Sequence, residues 1–339
     1  MADGMTKIAG ALMRSEINEA PAKYVAMLGR DLSALDVEPL KAARAIYTIA
    51  RGSSDAAANI LSYEFMRVLG KPMTTLPPSV FSLGGGVDMA GAAGLVISQS
   101  GGSTDLVHAI EGVKARGGHT VAITNTAGSP ASKVADICID MGAGPELAIP
   151  ATKSVICTVA AGMALLARMV PDYAENVSAA ARAMASVDGK TLPALAELVA
   201  ALKASDSVFV IGRGCGFGAA HEIALKFKEC AALHAEAYSA SEVLHGPLQL
   251  ATKPLTVVIL DTLEPEIQDS LNLAEARFKA INTPVFRVSP ADLGVAQASP
   301  PSAAALLLYA LYPVVHDLTL ALGMDPDTPE TLAKITDTI

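Results

Sequence analysis

The sequence predicts an α/β protein with two similar halves, each an α/β sandwich built around a parallel sheet. Short apolar strands alternate with helical segments, and the alternation restarts after a long stretch without strands. Both halves also contain a strand that runs through an Arg-Gly pair into a helix, at Arg51-Gly52 and at Arg213-Gly214. Such alternation is typical of βαβ units and a parallel sheet, and its repetition indicates an internal duplication.

Length and composition are those of two folded domains. The chain has 339 residues, of which 51% are hydrophobic and 17% are charged, and this excludes a disordered chain. The formal net charge of −9 argues against nucleic acid as the main partner, because binding a phosphate backbone requires a basic surface. A small phosphate can still bind such a protein locally, through backbone N–H groups at a helix N-terminus.

Three features of the sequence bear on the cellular compartment. The scattered cysteines form no Cys-x-x-Cys pair, so no zinc or redox motif is predicted, and they indicate a reducing environment. They are Cys138, Cys157, Cys215 and Cys230. The first residues lack the pattern of a signal peptide. The apolar run 303–311 is broken by Pro313 and Asp317 before it reaches the length of a membrane span, so we expect a buried helix and a cytoplasmic protein without a membrane partner.

In the first half, predicted strands alternate with helices in a regular order. Residues 5–32 are expected to be mostly helical, and residues 152–169 to form a long apolar helix. Between them the pattern predicts strands at residues 45–50, 94–97, 119–124 and 136–140, with helices that end near residues 69 and 116. Short apolar strands between helices indicate a sheet covered by helices.

The second half repeats this pattern after a link at residues 171–204, which is rich in alanine and is predicted to be helical. Strands are predicted at residues 207–211, 255–260 and 284–288, with helices after residue 214 and at 264–281. The resulting divisions are an N-terminal helical segment at 1–34, a first domain at 35–185, a second domain at 186–325 and a C-terminal tail at 326–339.

Two turns rich in hydroxyl groups are candidates for binding phosphate. One contains Ser98, Gln99, Ser100 and Ser103 between a buried strand and a helix start, and the other is Ser53-Ser54 in the same context. Small residues allow close approach to the backbone, and the carboxyl ends of parallel strands are where ligands bind. The alternative is that Ser103 and Thr104 only cap a helix. No P-loop motif occurs, and the glycines at 212–218 match a dinucleotide motif only weakly.

Acid and base groups cluster in the second half. Lys226 and Glu229 are three residues apart and share one face of a helix, where the alternative is an ordinary surface ion pair. His245 precedes Gly-Pro in a predicted loop and has a suitable pKa for moving protons near neutral pH, although an isolated histidine is more often structural. Lys334, considered alone, is typical of a solvated tail.

Motifs along the whole chain then combine into one pattern. They are Glu16-Ile17, Gly52-Ser53-Ser54, Ser98-Gln99-Ser100-Gly101, Gly144-Pro145-Glu146, Thr152-Lys153, Ala224-Leu225-Lys226-Phe227-Lys228-Glu229, His234-Ala235-Glu236-Ala237-Tyr238, Glu242, His245-Gly246-Pro247-Leu248, Asp325-Pro326-Asp327 and Leu332-Ala333-Lys334. In this order they resemble the tandem sugar-isomerase (SIS) domain family, and within it the isomerase half of glucosamine-6-phosphate synthases. The resemblance implies two SIS domains, each a three-layer αβα sandwich of flavodoxin-like topology.

The resemblance also implies roles for individual residues. The sugar 6-phosphate would be held by Ser53, Ser54, Ser98, Gln99, Ser100 and Ser103. Glu229 would move a proton between C1 and C2, and Lys226 would assist near the substrate hydroxyls. His245 would assist ring opening from the partner subunit of a homodimer, and Lys334 would contact the sugar from a tail that closes on the site. Neither a metal nor an organic cofactor is implied.

Departures from the family pattern narrow the expected activity. Ala2 stands where the synthase has the cysteine nucleophile of its glutaminase domain, and Arg51, Gly102 and Ala151 replace Cys, Glu and Ser. These departures make glutamine-dependent synthesis an unexpected activity. The chain also resembles stand-alone glucosamine-6-phosphate deaminases of this type, and that resemblance implies a deaminase that forms fructose 6-phosphate and ammonia. The alternatives are a fructosamine-phosphate deglycase, a galactosamine-6-phosphate deaminase/isomerase and, outside enzymes, a sugar-phosphate sensor.

Overall fold

The computed structural model describes residues 8–334 of the chain. In the first half the strands are β1 (Ala45–Ile49), β2 (Met73–Thr75), β3 (Ala92–Ser98), β4 (His119–Thr124) and β5 (Ile137–Asp140). The helices of this half are α1 (Ala11–Leu28), α2 (Glu38–Ala42), α3 (Ser53–Leu69), α4 (Ser79–Ser82), α5 (Thr104–Ala115), α6 (Pro130–Val134), α7 (Lys153–Met169) and α8 (Ala174–Ser186).

In the second half the strands are β6 (Ser207–Gly212), β7 (His234–Ser239), β8 (Leu255–Leu260) and β9 (Val285–Val288). The helices are α9 (Leu195–Lys203), α10 (Cys215–Ala231), α11 (Gln268–Lys279) and α12 (Pro300–Ala321). Short 3-10 helices lie at Pro171–Tyr173, Glu242–Leu244, Pro247–Thr252, Pro265–Ile267 and Pro290–Leu293.

The two sheets share one topology. The first has the strand order β2-β1-β3-β4-β5 and the second has the order β7-β6-β8-β9, with every pairing parallel. The order reverses between β1 and β3 and again between β6 and β8, and such switch points create crevices at the carboxyl ends of the strands. The predicted fold of two helix-flanked parallel sheets is confirmed.

The sequence prediction missed two strands, β2 and β7. β2 is an edge strand of the first sheet and pairs with β1, and β7 is an edge strand of the second sheet and pairs with β6. β2 has only three residues, of which Thr74 and Thr75 are exposed, and in β7 only Ala235 is fully buried. Edge strands bury fewer side chains, so these segments lack the continuous apolar run that identified the inner strands.

Helix boundaries differ modestly from the predicted ones. α1 is shorter than the predicted 5–32, of which residues 5–7 lie outside the described part. The predicted helix at 264–281 begins as a 3-10 turn from Pro265 and becomes α-helical only in α11. The link at 171–204 contains the whole of α8 and α9 and no strand, as predicted.

Helices α3 and α10 join the two halves in very close contact. Cys215 Sγ lies 3.3 Å from the carbonyl oxygen of Ile60, to which it donates a hydrogen bond. A Cβ atom added at Gly218 would lie 2.5 Å from the backbone nitrogen of Ile60, so only glycine permits this approach. The close packing places the polar residues of α10 beside the turn that follows β1.

The apolar run at 303–311 lies in α12, as predicted. Among the described residues, one helix, α12, has the length and the apolar composition to cross a membrane. Its most apolar window is 89% buried inside the protein, where it packs against α10 and α9. α12 is therefore a core helix of this fold.

Candidate active site

The candidate site is a cavity of about 290 Å³ where α10 meets the turn after β1. The turn contributes Arg51, Gly52, Ser53 and Ser54, α10 contributes Lys226 and Glu229, the loop before α7 contributes Ile149, Pro150 and Ala151, and the C-terminal segment contributes Leu332, Ala333 and Lys334. The first domain thus supplies hydroxyl groups and an α-helix N-terminus, whereas the second supplies an ammonium and a carboxylate.

A second, hydroxyl-rich cavity of about 150 Å³ shares a wall with the first. It is lined by Ser98, Gln99, Ser100 and Ser103 after β3, and Arg51, Ser54 and Lys334 line both cavities. We call the residues 98–103 at this point the cradle. The two turns that the sequence analysis proposed for phosphate therefore lie on one continuous surface, at the switch point between β1 and β3.

Hydroxyl groups of the cradle have the freedom to bind an anion. Ser98 Oγ accepts a hydrogen bond of 3.1 Å from the backbone N–H of Gly101, and its own hydrogen can be donated elsewhere. Ser103 is the N-cap residue of α5, but its side chain makes no capping hydrogen bond. Ser103 and Thr104 thus lie at the start of α5, as the capping alternative expects, and the Ser103 hydroxyl remains available to another acceptor.

Lys226 is buried in the wall of the cavity, with 1% of its surface exposed. Its Nζ donates a hydrogen bond of 2.9 Å to Ser53 Oγ and a short one to Glu229 Oε2. The alternative of a surface ion pair is wrong, because Lys226 has 1% and Glu229 25% of its side chain exposed, and both residues line the cavity. Lys226 thereby connects the first turn of α3 to the carboxylate on α10.

Glu222 is a partner of Lys226 that the sequence analysis did not single out. It is fully buried on α10, with Oε1 3.5 Å from Lys226 Nζ and accepting a 3.1 Å hydrogen bond from Tyr312. Its four-residue spacing from Lys226 is a helical signal that could have identified it. Tyr312 lies within the apolar α12, where nothing in the local sequence points to the site.

The electrostatics of this group follow from burial and charge. Burial lowers the pKa of the Lys226 ammonium, but the carboxylates of Glu222 and Glu229 outweigh that effect and raise it overall. Burial raises the pKa of Glu222 to about 7, against the opposing effect of Lys226. Lys226 is therefore a charged donor at neutral pH, and Glu222 changes its protonation in the same pH range.

The C-terminal segment holds Lys334 at the junction of the two cavities. Lys334 Nζ donates to the carbonyl oxygen of Ala148 at 2.6 Å and lies 3.7 Å from Glu146 Oε2. Asp327 anchors the segment, because its carboxylate accepts hydrogen bonds from the backbone of Leu12 and Met13 at 3.0 and 2.8 Å. The lysine thus lies at the site rather than in solvent.

His245 is the predicted site residue that this chain does not bring to the others. It is exposed, in the turn between the 3-10 helices Glu242–Leu244 and Pro247–Thr252. Within the described part of the chain, His245 lines neither of the two cavities.

The arrangement has the elements of proton-transfer chemistry on an anionic substrate. Glu229 is a carboxylate base that is open to the cavity, with a charged ammonium donor beside it, and the cradle offers hydroxyl and N–H donors for an anion. Within residues 8–334, no group of three His, Cys, Asp or Glu residues is placed to hold a metal ion.

Comparisons with known proteins agree with this architecture. The SIS domain family matches residues 40–168 and 201–291. A glutamine–fructose-6-phosphate aminotransferase (isomerizing) of Aeropyrum pernix is 31% identical over 320 residues, which cover 84% of this chain and 50% of the relative. The chain therefore spans about half the length of that curated relative.

Solved structures show the same fold. A Silicibacter pomeroyi protein of known crystal structure has a TM-score of 0.81 at 31% identity, covering 94% of this chain and 100% of that one. The glucosamine-6-phosphate deaminase of Thermotoga maritima has a TM-score of 0.76 at 21% identity, covering 97% of this chain and 100% of that one. From its fold, its duplicated switch points and these matches, the chain belongs to the SIS domain family.

Proposed function

We propose that this protein is an isomerising deaminase that converts glucosamine 6-phosphate and water to fructose 6-phosphate and ammonia. The observation that carries the proposal is the position of the Lys226–Glu229 pair in a cavity that continues into the hydroxyl-lined cradle. An acid–base pair beside an anion site is what proton transfer within a sugar phosphate requires.

In the proposed reaction, Glu229 removes the C2 proton of the open-chain amino sugar while Lys226 gives a proton to the C1 oxygen. The resulting enamine regains the first proton at C1 and becomes an iminium at C2. Water adds to C2, ammonia leaves and the proton released in this step returns to Lys226, so one water is consumed for each ammonia released. The Glu229 carboxylate, with 25% of its side chain exposed, lines the cavity, and the two carboxylates beside the enclosed Lys226 raise the pKa of its ammonium, so Lys226 carries the proton that its role needs.

Phosphate binding positions the carbon chain for these steps. The Ser53 and Ser54 hydroxyls at the start of α3, together with the cradle at the start of α5, bind the 6-phosphate with help from the two helix N-termini. Lys334 lines the opposite side of the cavity, where its ammonium can contact the sugar carbonyl. The deaminase of Thermotoga maritima, which shares the fold, is consistent with this assignment.

We also propose that the working unit is a homodimer in the cytoplasm. His245 assists ring opening in the site of the partner subunit, which accounts for its exposed position outside the cavities of its own chain. A partner histidine supplies a proton shuttle that the cavity residues of this chain do not provide.

Ammonia release from purified protein tests the activity, with glucosamine 6-phosphate, galactosamine 6-phosphate and a fructosamine phosphate as parallel substrates and no glutamine. We expect release with fructose 6-phosphate as co-product from the first substrate. Glu229→Gln is expected to abolish turnover and retain binding, whereas Glu111→Gln on the exposed face of α5 is the matched control. Preference for another substrate would move the assignment to that epimer or deglycase, and ligand-induced stabilisation without any turnover would identify a sensor.

A further inference from the structure

We propose that Arg51 is a specificity-determining residue, which recognises the phosphate of the substrate by charge in a cradle that otherwise offers hydroxyl and amide groups. This inference rests on the phosphate site of the proposed function and names the group that gives the site its selectivity for an anion.

The position of Arg51 is the first observation. It lies two residues after the end of β1, at the switch point, and lines both the acid–base cavity and the cradle cavity. Its side chain is 39% exposed, so its guanidinium is open to a ligand. The other groups of the cradle, Ser98 to Ser103, carry no charge.

The second observation is the way the guanidinium is held. Arg51 Nη2 lies 2.7 Å from Oδ1 of Asp105, a carboxylate with 6% of its side chain exposed in the first turn of α5. The ion pair fixes Arg51 beside the N-terminus of the helix that forms the cradle. A guanidinium has more N–H donors than one carboxylate can accept, so donors remain for a phosphate in the forked geometry that arginine favours.

The third observation is the state of the other cations near the site. Lys226 is enclosed between the carboxylates of Glu222 and Glu229, and Lys334 binds the carbonyl oxygen of Ala148. Both lie toward the carbon chain of the sugar in the proposed pose. Arg51 and Lys334 both line the cavity of the cradle, and of these two Arg51 is the one that an ion pair ties to the cradle helix.

The chain contains an internal control. Arg213 occupies the equivalent position after β6, followed by Gly214 in the same backbone conformation as Gly52 (φ 56° and ψ −133° against φ 56° and ψ −131°). Its guanidinium donates to the Ser241 and Ser239 hydroxyls at the end of β7 instead of facing a cradle. Removing Arg213 therefore removes the same charge from the equivalent turn without touching the proposed site.

Calorimetric titration with fructose 6-phosphate and with inorganic phosphate tests the inference without requiring turnover. We expect Arg51→Met to raise both dissociation constants by about 10- to 100-fold, as for the loss of a charged hydrogen bond. Arg51→Lys should give an intermediate loss, because it keeps the charge but not the fork. Arg213→Met should bind both ligands like the wild type.

Because Arg51 is ion-paired with the buried Asp105, the variant Arg51→Gln/Asp105→Asn replaces both charges by a neutral pair, with the same expected loss of affinity. Wild-type affinity for both ligands in the folded Arg51 variants would overturn the inference. So would weaker binding of fructose 6-phosphate with unchanged binding of inorganic phosphate, since Arg51 would then contact the sugar. If the wild type binds neither ligand, the phosphate site and the proposed function fail together.

Discussion

The turns after β1 and β6 are equivalent in the two domains but differ in what covers them. A Cβ added at Gly52 would meet only Leu225, 3.9 Å away, and the turn opens into the candidate site. A Cβ added at Gly214 would lie 3.5 Å from Glu264 Oε1, a half-buried carboxylate from the turn after β8. An anion is therefore favoured at the first turn and repelled at the second.

The helices that follow these turns extend the comparison. Glu64 lies as far along the chain from Gly52 as Lys226 lies from Gly214, and Arg67 likewise corresponds to Glu229, so the charges are inverted. Glu64 is buried and satisfied by Arg67 and by a 2.7 Å hydrogen bond from the Tyr173 hydroxyl. Each helix thus carries an ion pair with one buried partner, and of these two pairs only the one on α10 faces the hydroxyl-lined crevice.

The largest expected effect concerns these equivalent charges. Lys226→Met should lower kcat for ammonia release by about 100- to 10,000-fold, because it removes the proton donor beside Glu229. Glu64→Gln should leave kcat unchanged and lower only the melting temperature, because Glu64 serves the packing of α3 with Tyr173. Equal losses of kcat in the two folded variants would show that both ion pairs act in catalysis and would break the comparison.

The next effect concerns the two strand ends. Ser100→Ala/Ser103→Ala should raise the dissociation constant for fructose 6-phosphate by about 10- to 100-fold through the loss of two hydroxyl donors. Thr262→Ala, in the corresponding turn after β8, should have no effect on binding, since Thr262 donates to Glu264 at 2.8 Å. Calorimetric titration of both variants with fructose 6-phosphate measures the two dissociation constants. An equal loss of affinity in Thr262→Ala would place the ligand at the turn after β8.

A smaller effect is expected in the pH dependence of stability. The pKa of Glu222 is raised to about 7, so its contribution to the free energy of unfolding is complete below its ordinary value of 4.5 and is lost as the pH rises through 7. Glu222→Gln should therefore reduce the decline in stability from pH 5 to pH 8, by on the order of 1 to 3 kcal/mol. Denaturant unfolding at both pH values measures it; a decline as steep as that of the wild type would contradict the burial argument.

The smallest effect concerns the C-terminal anchor. Asp327→Asn weakens the acceptor that receives the backbone N–H groups of Leu12 and Met13, and should lower stability by about 1 kcal/mol. It should also raise KM modestly, because Lys334 is then held less firmly at the site. Asp325→Asn, whose carboxylate accepts from Gly10 at 3.0 Å, is a control for the same segment. If Asp327→Asn is less stable but has an unchanged KM, Asp327 has a structural role only.

Local sequence patterns were enough to predict the parts of the site that lie within one element. The three-residue spacing of Lys226 and Glu229 and the hydroxyl-rich turns after β1 and β3 identified side chains that do converge. Alternation of strands and helices likewise predicted both sheets, apart from the edge strands β2 and β7.

Contacts between distant elements could not be predicted in this way. The hydrogen bond from Tyr312 to Glu222 and that from Lys334 to Ala148 join segments far apart in sequence, and neither lysine nor tyrosine carries a local signal of its partner. The correspondence between Glu64–Arg67 and Lys226–Glu229 could not be predicted either, because the sequences of the two halves share little more than the Arg-Gly turn. It became visible only once the backbone placed the two glycines in the same conformation.

A crystal structure with fructose 6-phosphate tests most directly the claim that one site is built from both domains. We predict the phosphate among the hydroxyls of Ser54, Ser98, Ser100 and Ser103, with C1 and C2 of the sugar beside the Glu229 carboxylate. A ligand bound instead at the turn of Gly214, or with its carbon chain away from α10, would contradict the account.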